Sequence, residues 1–366
     1  MLKGKSIAVV VPAYNEESQI GQVIETIPEF VDRIVIINDN SSDKTVEIVK
    51  YYMKNEKKVN IIIPSVLNNI KKKTKYNRAD WIVQEQTKKE LKLFPASEIF
   101  NEGNKNNRII LINYKQNNGV GACIARGYKW CKDHGIDCTA VMAGDGQMDP
   151  DELEKICRPV VEEDIDYVKG NRLIHRSSLL VIPKIRYFGN SILSILTKIA
   201  SGYWHVSDTQ SGYSAISNKA LNSILLHKIY KKYGMPNDLL VKLNISFCSL
   251  KEVGIKPVYD IGENSKMKIW KVIPKISFLL FKSFFKRLWI KYLFRDFHPL
   301  FLLYHAAFIL LLISLPYAIK IIRLAINDIS VNPVTTLAFI FLFISGFQSL
   351  LFAMWMDIQD NERLYK

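Results

Sequence analysis

Residues 7–39 read IAVVVPAYNEESQIGQVIETIPEFVDRIVIIND. Ile7–Val11 is an unbroken apolar, β-rich run and Ile34–Ile37 is a second, while Ile20, Val23, Ile24 and Ile27 recur at helical spacing within Glu17–Ile27. Strand, helix, strand at this separation is a βαβ unit, which sets the two strands parallel in one sheet. A second helix is expected from Lys44 to about Tyr52, entered through Ser41, Ser42 and Asp43, any of which can cap its free amides. Further strands are expected at Val59–Ile63, Ile109–Asn113, Thr139–Met142 and Tyr167–Lys169. The fold class is therefore α/β, a doubly wound, Rossmann-like domain with its ligand at the carboxyl ends of the strands.

The whole chain has 366 residues, 48% apolar and 23% charged, with 50 Lys and Arg against 35 Asp and Glu for a net charge of +15. Those fractions exclude a mainly disordered or collagen-like chain. The five cysteines form no CxxC pair and fit reduced thiols in a cytosolic compartment. The N-terminus reaches Pro12 and charge too soon for a secretory signal and reads as the first strand. Between Pro64 and Arg108 lies a polar stretch, expected to be either an inserted helix with a flexible arm or a lid; its Lys71-Lys72-Lys73 run is read as solvated surface.

Two apolar segments, Pro299 to about Ile322 and Val334 to Met356, each have the roughly twenty residues that cross a bilayer core. Just before them, Ile269–Phe297 interleaves Lys271, Lys275, Lys282, Lys286, Arg287, Lys291 and Arg295 with Trp and Phe, the pattern of a helix lying on anionic headgroups. The connection Arg323–Pro333 is poor in positive charge, so the positive-inside rule places the N-terminal domain and the C-terminal tail in the cytoplasm. The positive surplus is read as a membrane attachment surface, not a nucleic-acid patch. The expected division is 1–265 for the catalytic domain, with an insertion near 64–108, then 266–297 for the interfacial helices and 298–366 for the membrane hairpin and tail.

Four strand-end segments carry the chemistry. Pro12, Ala13, Tyr14 and Glu16 offer a flat apolar surface for a base and an acceptor for its donors, and Asp39 can accept from a nucleobase imide. Asn117-Asn118-Gly119-Val120-Gly121-Ala122 is a glycine turn whose amides can approach a diphosphate. Val141–Pro150, VMAGDGQMDP, follows an apolar strand and sets Asp145 and Gln147 at alternating positions suited to a hard divalent cation.

These segments resemble the family 2 glycosyltransferases, whose motifs read V-P-x-Y-N-E, D-D-x-S-x-D-x-T, N-x-G-x-G-A and D-x-D-G-Q-x-D-P. Asn38 stands where the family usually has its first Asp, a mild departure, and Ala143 replaces the first Asp of the fourth motif, which leaves fewer protein ligands, so either water and diphosphate complete the metal's shell or its affinity is low. The resemblance implies a GT-A type nucleotide-sugar domain using Mg2+ or Mn2+ at Asp145 and Gln147. It also implies a phosphate-binding Arg172 in Val168–Arg172, and catalytic roles for Asp208 in Asp208–Tyr213 and Asp238 after Met235-Pro236-Asn237. Glu263-Asn264-Ser265-Lys266 resembles the S-K that precedes the membrane helices of polyprenyl-phosphate sugar transferases of the dolichyl-phosphate mannose synthase type. The likeness spans the chain except Met53–Arg108, which is longer than the family leads one to expect.

The implied reaction is inverting transfer of a hexose from a nucleoside-diphosphate sugar to polyprenyl phosphate, undecaprenyl or dolichyl, with Arg172, Ser265 and Lys266 on the acceptor phosphate. If the acceptor is a hydroxyl of a lipid-linked glycan, Asp208 or Asp238 becomes the base. The departures at Asn38 and Ala143 motivate a rival, a membrane-anchored nucleotide-sugar-binding protein without turnover. A nucleotidyltransferase would want a basic, glycine-rich loop directly after the first strand, where this chain has Pro-Ala-Tyr-Asn-Glu. A homo-oligomer is compatible with the sequence, and nucleic acid is not an expected partner.

Overall fold

The computed structural model describes residues 1–56, 74–101, 107–259 and 269–366. The expected strand at Val59–Ile63, the lysine run at 71–73 and the Ser265-Lys266 pair lie outside those residues.

The βαβ unit forms as β1 (Ile7–Ala13), α1 (Ile20–Thr26) and β2 (Arg33–Asn38), with β1 and β2 parallel in the register Val10 to Val35. Both strands are wholly buried, and apart from Arg33 and Asn38 at the ends of β2 their side chains are apolar on both faces rather than alternating. The next helix, α2, runs Thr45–Asn55; of the three residues expected to cap it, Asp43 does so, accepting from Thr45 N at 3.0 Å.

The insertion supplies a helix, α3 (Arg78–Glu90), and a short strand, β3 (Ser97–Ile99). Glu90, at the end of α3, is buried against Lys132, the Leu226 amide and His227, which pins the inserted helix to the domain.

The remaining catalytic-domain elements are β4 (Ile109–Tyr114), α4 (Val120–Asp133), β5 (Cys138–Val141), α5 (Leu153–Glu162), β6 (Tyr167–Asn171), α6 (Ser178–Val181), α7 (Lys184–Ser201), β7 (Ser214–Ser217), α8 (Asn218–Ser223), α9 (Met235–Ile245) and β8 (Leu250–Gly254). The described strands form one sheet in the order β3-β4-β2-β1-β5-β7-β6-β8. It is mixed: β4, β2, β1 and β5 run parallel to one another, as do β6 and β8, while β7 is antiparallel to β5 and β6, and β3 is antiparallel to β4. One face packs on α4, α8 and α9, the other on α1, α2 and α5. Gly127 of α4 lets that helix lie directly on β1, since a Cβ there would sit 2.3 Å from Val10 Cγ1.

After the sheet come α10 (Ile269–Trp289), a π-helical turn (Ile290–Arg295), α11 (Leu300–Ile326) and α12 (Pro333–Glu362). The last two match the expected hairpin. Their most apolar windows have a mean hydropathy of 2.1 and are only 6% and 11% buried, so these are not core helices of a soluble domain. The interfacial segment needs a correction: Arg287 and Lys291 are buried instead of facing headgroups. Arg287 forms two 2.7 Å hydrogen bonds to the Asp357 carboxylate near the end of α12, and it also donates to Ala200 O at 3.0 Å and Ile199 O at 3.1 Å at the end of α7. Lys291 donates to Asn361 and Asn244 and pairs with Asp360. A third core, shared by α7, α9, α10, α11 and α12, surrounds this network.

Removing one member of a fully buried, bidentate pair leaves an uncompensated charge, at a cost of about 3–5 kcal/mol. Asp357→Ala is therefore expected to lower the stability of the full chain by that order, and Arg287→Met combined with Asp357→Leu to recover much of it. Thermal unfolding of the reconstituted protein checks both.

Candidate active site

A cleft of about 440 Å³ opens at the carboxyl ends of β1, β2 and β5. Its walls bring together Pro12, Ala13, Tyr14, Glu16, Asp39, Asn118 and Gly119, seven of the eight residues expected to bind the donor, with Asp145 beside them; the eighth, Gly121, does not line it. Ala143 and Gly144 line it too, so the position lacking the family's first carboxylate faces the same space.

Asp39 does more than face the cleft. Its two carboxylate oxygens accept from Asn118 N at 2.7 Å and Gly119 N at 2.8 Å, tying the end of β2 to the glycine turn. Asn38, the other departure from the family pattern, is buried and accepts from Ser41 N and Oγ, so it closes the turn behind Asp39.

The glycines also have a packing reason. Gly119 has φ +92°, a region that disfavours any residue with a Cβ, and a Cβ there would lie 2.6 Å from Lys231 O. At Gly121 a Cβ would lie 2.1 Å from Tyr230 O. Protein backbone fills the space on the Cβ side of these two glycines. The partner loop 230–233 also accepts from Ala122 N through Lys231 O at 3.2 Å, and it carries Lys232 and Tyr233 into the cleft. Lys232 is the only cation lining the cleft among the described residues. Sequence reasoning missed this pair, because nothing in IYKKYG distinguishes a cleft wall from a solvated loop until the fold brings it beside Gly119.

Asp238 is buried, accepts from Tyr230 N at 2.8 Å and pairs with Lys242 one turn on. It therefore anchors the 230–233 loop from the side opposite the glycines, and it does not line the cleft. Asp208 is likewise enclosed: Arg172 grips it with Nε at 2.8 Å and Nη2 at 3.1 Å, and Ser211 N donates to it at 3.1 Å. Burial would raise the Asp208 carboxyl, yet the Arg172 charge and hydrogen bonds, with Lys169 behind them, hold it below the usual carboxylate range. A carboxylate stabilised in this way is a poor proton acceptor. Beneath it, burial pushes Lys169 down to about 8 against the pull of Asp208 and Glu252, and Glu252 accepts from the Ser207 and Asp208 amides. Arg172 Nη1 also reaches the Tyr259 hydroxyl at 3.4 Å.

The donor set at Asp145 fits a divalent cation shared with a diphosphate. Asp145 stands in the cleft, and among the described residues no cluster of three or more His, Cys, Asp or Glu could form an all-protein cage. Mg2+ typically takes one or two carboxylates and fills its remaining positions with phosphate oxygens and water. Gln147, whose backbone N donates to Asp145 Oδ1 at 3.1 Å, has its side-chain nitrogen buried without a hydrogen-bond partner. An amide turned end for end presents an oxygen donor instead.

A mixed α/β sheet with a strand-end cleft lined by these motifs is the arrangement of a glycosyltransferase domain. The family model described as Glycosyl transferase family 2 matches residues 8–66 and 63–225, and the chain belongs to that family. Among curated relatives, the UDP-N-acetylglucosamine–dolichyl-phosphate N-acetylglucosaminyltransferase of Methanococcus voltae is 28% identical over 257 residues, covering 70% of this chain and 86% of its own. A dolichyl-phosphate β-glucosyltransferase of Trichomonas vaginalis is 22% identical, covering 77% of this chain and 74% of its own. Among solved structures, glucosyl-3-phosphoglycerate synthase from Mycobacterium tuberculosis with Mn2+, UDP and phosphoglyceric acid aligns over 78% of each chain at 16% identity, with a TM-score of 0.46.

Because Asp208 is held below its unfolded value near 3.8, its stabilising contribution is present above that value and fades as pH falls through the lower folded one. Asp208→Asn is expected to lose stability at pH 7 yet lose less on further acidification than the wild type. Denaturant titrations at pH 7 and pH 3 compare the two slopes.

Proposed function

We propose that this family 2 glycosyltransferase moves a hexose, with inversion, from a nucleoside-diphosphate sugar to a polyprenyl phosphate at the cytoplasmic face of a membrane. The observation that carries the reading is the union of a strand-end donor cleft with two exposed, bilayer-length helices joined to the same domain through Arg287. The dolichyl-phosphate acceptors in the names of two relatives support the lipid assignment. In this reading 1–265 is the catalytic unit, 266–297 the interfacial segment and 298–366 the hairpin and tail.

The acceptor phosphate oxygen attacks the anomeric carbon, the bond from that carbon to the diphosphate breaks, and the nucleoside diphosphate leaves with the electron pair. A phosphate monoester with a second pKa of about 6 is already largely dianionic near neutrality, so no proton has to be removed. This suits a chain whose Asp208 and Asp238 are both committed to ion pairs. Asp39 and the first-strand loop seat the base, and Lys232 supplies positive charge on the far wall. Asp145 with Gln147 would hold Mg2+ or Mn2+, which when bound neutralises the departing diphosphate. Arg172, with Ser265 and Lys266, would receive the lipid phosphate.

The test is a membrane-fraction assay with labelled UDP-N-acetylglucosamine and UDP-glucose, with and without dolichyl or undecaprenyl phosphate, reading lipid-extractable label. Label that depends on the added lipid phosphate is expected; none from any donor would overturn the reading. Asp145→Ala is expected to lower turnover at least 100-fold with either metal present, and wild-type rates would remove its metal role. Arg172→Ala is expected to raise the KM for the lipid phosphate about tenfold while leaving that for the sugar nucleotide within twofold. An unchanged acceptor KM would remove the phosphate assignment.

A further inference from the structure

Helix α3 of the insertion is thirteen residues long and buries one of them, Glu90. Its neighbours Ile82, Val83, Leu91 and Leu93 stay exposed. A helix attached to a domain for stability alone turns an apolar stripe inward, because a carboxylate taken out of water costs free energy that its partners must return. The partners of Glu90 therefore say what the attachment is for.

Glu90 divides its two oxygens between two parts of the domain. Oε2 faces Lys132 of α4 at 3.5 Å. Oε1 accepts from Leu226 N at 3.0 Å and from His227 Nδ1 at 3.1 Å. An ionised carboxylate only accepts, so the proton at the second contact is carried by Nδ1. Leu226 opens a 3-10 turn, Leu226–Lys228, whose first N–H groups find no acceptor within the turn. Glu90 thus caps, from a distant part of the chain, the turn that leads into the cleft loop.

The path from that turn to the cleft is short and stiff. Ile229 N donates back to Leu226 O at 3.1 Å, the Ile229 side chain lies in the main core, and the next residue, Tyr230, has its N–H on Asp238. Lys231 O then receives Ala122 N, and Lys232 and Tyr233 line the cleft. Segment 226–233 is therefore held by the glycine turn, by α9 and by Glu90, and only the last of these comes from the insertion. The insertion has its own attachment elsewhere, through Ser97 Oγ, which accepts from Arg126 Nε at 3.0 Å, and through Phe94 in the main core.

We propose that Glu90 is a positioning residue for the donor cleft: by holding Leu226 and His227 it sets where the 230–233 loop carries Lys232 and Tyr233, so that the insertion adjusts how tightly the cleft holds a nucleoside diphosphate. The binding half of the proposal rests on the donor reading above, and the mechanical half does not.

Glu90→Gln separates the two uses of the carboxylate. It keeps an oxygen for Leu226 and His227 and drops the charge opposite Lys132, whereas Glu90→Ala removes both. Calorimetric titration of the full chain in detergent with UDP and Mg2+ is expected to show affinity about tenfold weaker for Glu90→Ala, the order of one lost contact to a charged group, and within about twofold of wild type for Glu90→Gln. Equal weakening in the two variants would assign Glu90 to the Lys132 ion pair alone and overturn the proposal, as would wild-type affinity in Glu90→Ala. Added to Lys232→Ala, Glu90→Ala should cost less than about threefold more, since both act on one contact; a full additive loss would overturn the route through the loop. Hydrogen exchange without nucleotide tests the mechanical half. Amides 229–233 are expected to exchange about tenfold faster in Glu90→Ala with β1 unchanged, and Ser97→Ala, which loosens the insertion at its other attachment, should leave them at the wild-type rate. Unchanged exchange in Glu90→Ala, or the same rise in Ser97→Ala, would overturn it. This readout needs no ligand, so failure of the donor reading shows separately, as a wild type that binds no UDP.

Discussion

A buried guanidinium sets the geometry between catalysis and membrane. Arg287 has five N–H donors in a rigid fork, and here they satisfy the carboxylate of Asp357 and two carbonyls at the end of α7. No other side chain meets both demands at once: lysine lacks the fork, and an apolar residue would abandon Asp357 in the core. Gly202 ends α7 in a left-handed turn at φ +80°, and a Cβ there would lie 2.6 Å from Arg287 Nη1. The glycine thus serves the helix end and the arginine together. Three separate stretches of sequence, near 200, 287 and 357, must agree for this joint to form.

The cleft has a comparable economy. Asp39 binds two amides of the glycine turn, that turn receives the carbonyls of Tyr230 and Lys231, and Asp238 fixes the far side of the same loop. The end of β2, the glycine turn, the 230–233 loop and the start of α9 are therefore one connected unit. A cation on the 230–233 loop offsets part of the negative charge that a diphosphate would bring among Glu16, Asp39 and Asp145. A chain lacking one motif carboxylate at Ala143 has less negative charge facing the leaving group.

The βαβ start, the strand-end position of the site and the membrane hairpin were legible because each rests on local periodicity or on a long apolar run. Pro12, Ala13, Tyr14, Glu16, Asp39, Asn118, Gly119 and Asp145, though not Gly121, line one cleft, since they sit at strand ends whose order the topology fixes. The antiparallel insertion of β7 was not legible: SAIS is too short to show a period, and its direction follows from the loop around Asp208 folding back. The reasons for Gly119 and Gly121 were hidden for a similar cause, as a glycine reports that space is needed and not what fills it. Arg287 and Lys291 read as surface cations because their partners, Asp357 and Asp360, lie beyond two membrane-length helices. Glu90 escaped notice because TKKELK reads as an exposed helix end until the fold brings Leu226 and His227 against it.

The residues after α12 return to the catalytic sheet. Leu250 N donates to Leu364 O at 2.7 Å and Lys366 N to Leu250 O at 2.9 Å, so the tail bridges the first residue on the free side of β8, with Leu364 in the main core. An uncovered edge strand invites pairing with other chains. On a ribosome, the stretch that covers this edge emerges only after both apolar helices have been made. The backbone partner of Leu250 thus follows both apolar helices in the chain, and a chain cut short of them would leave that residue of the β8 edge unpaired.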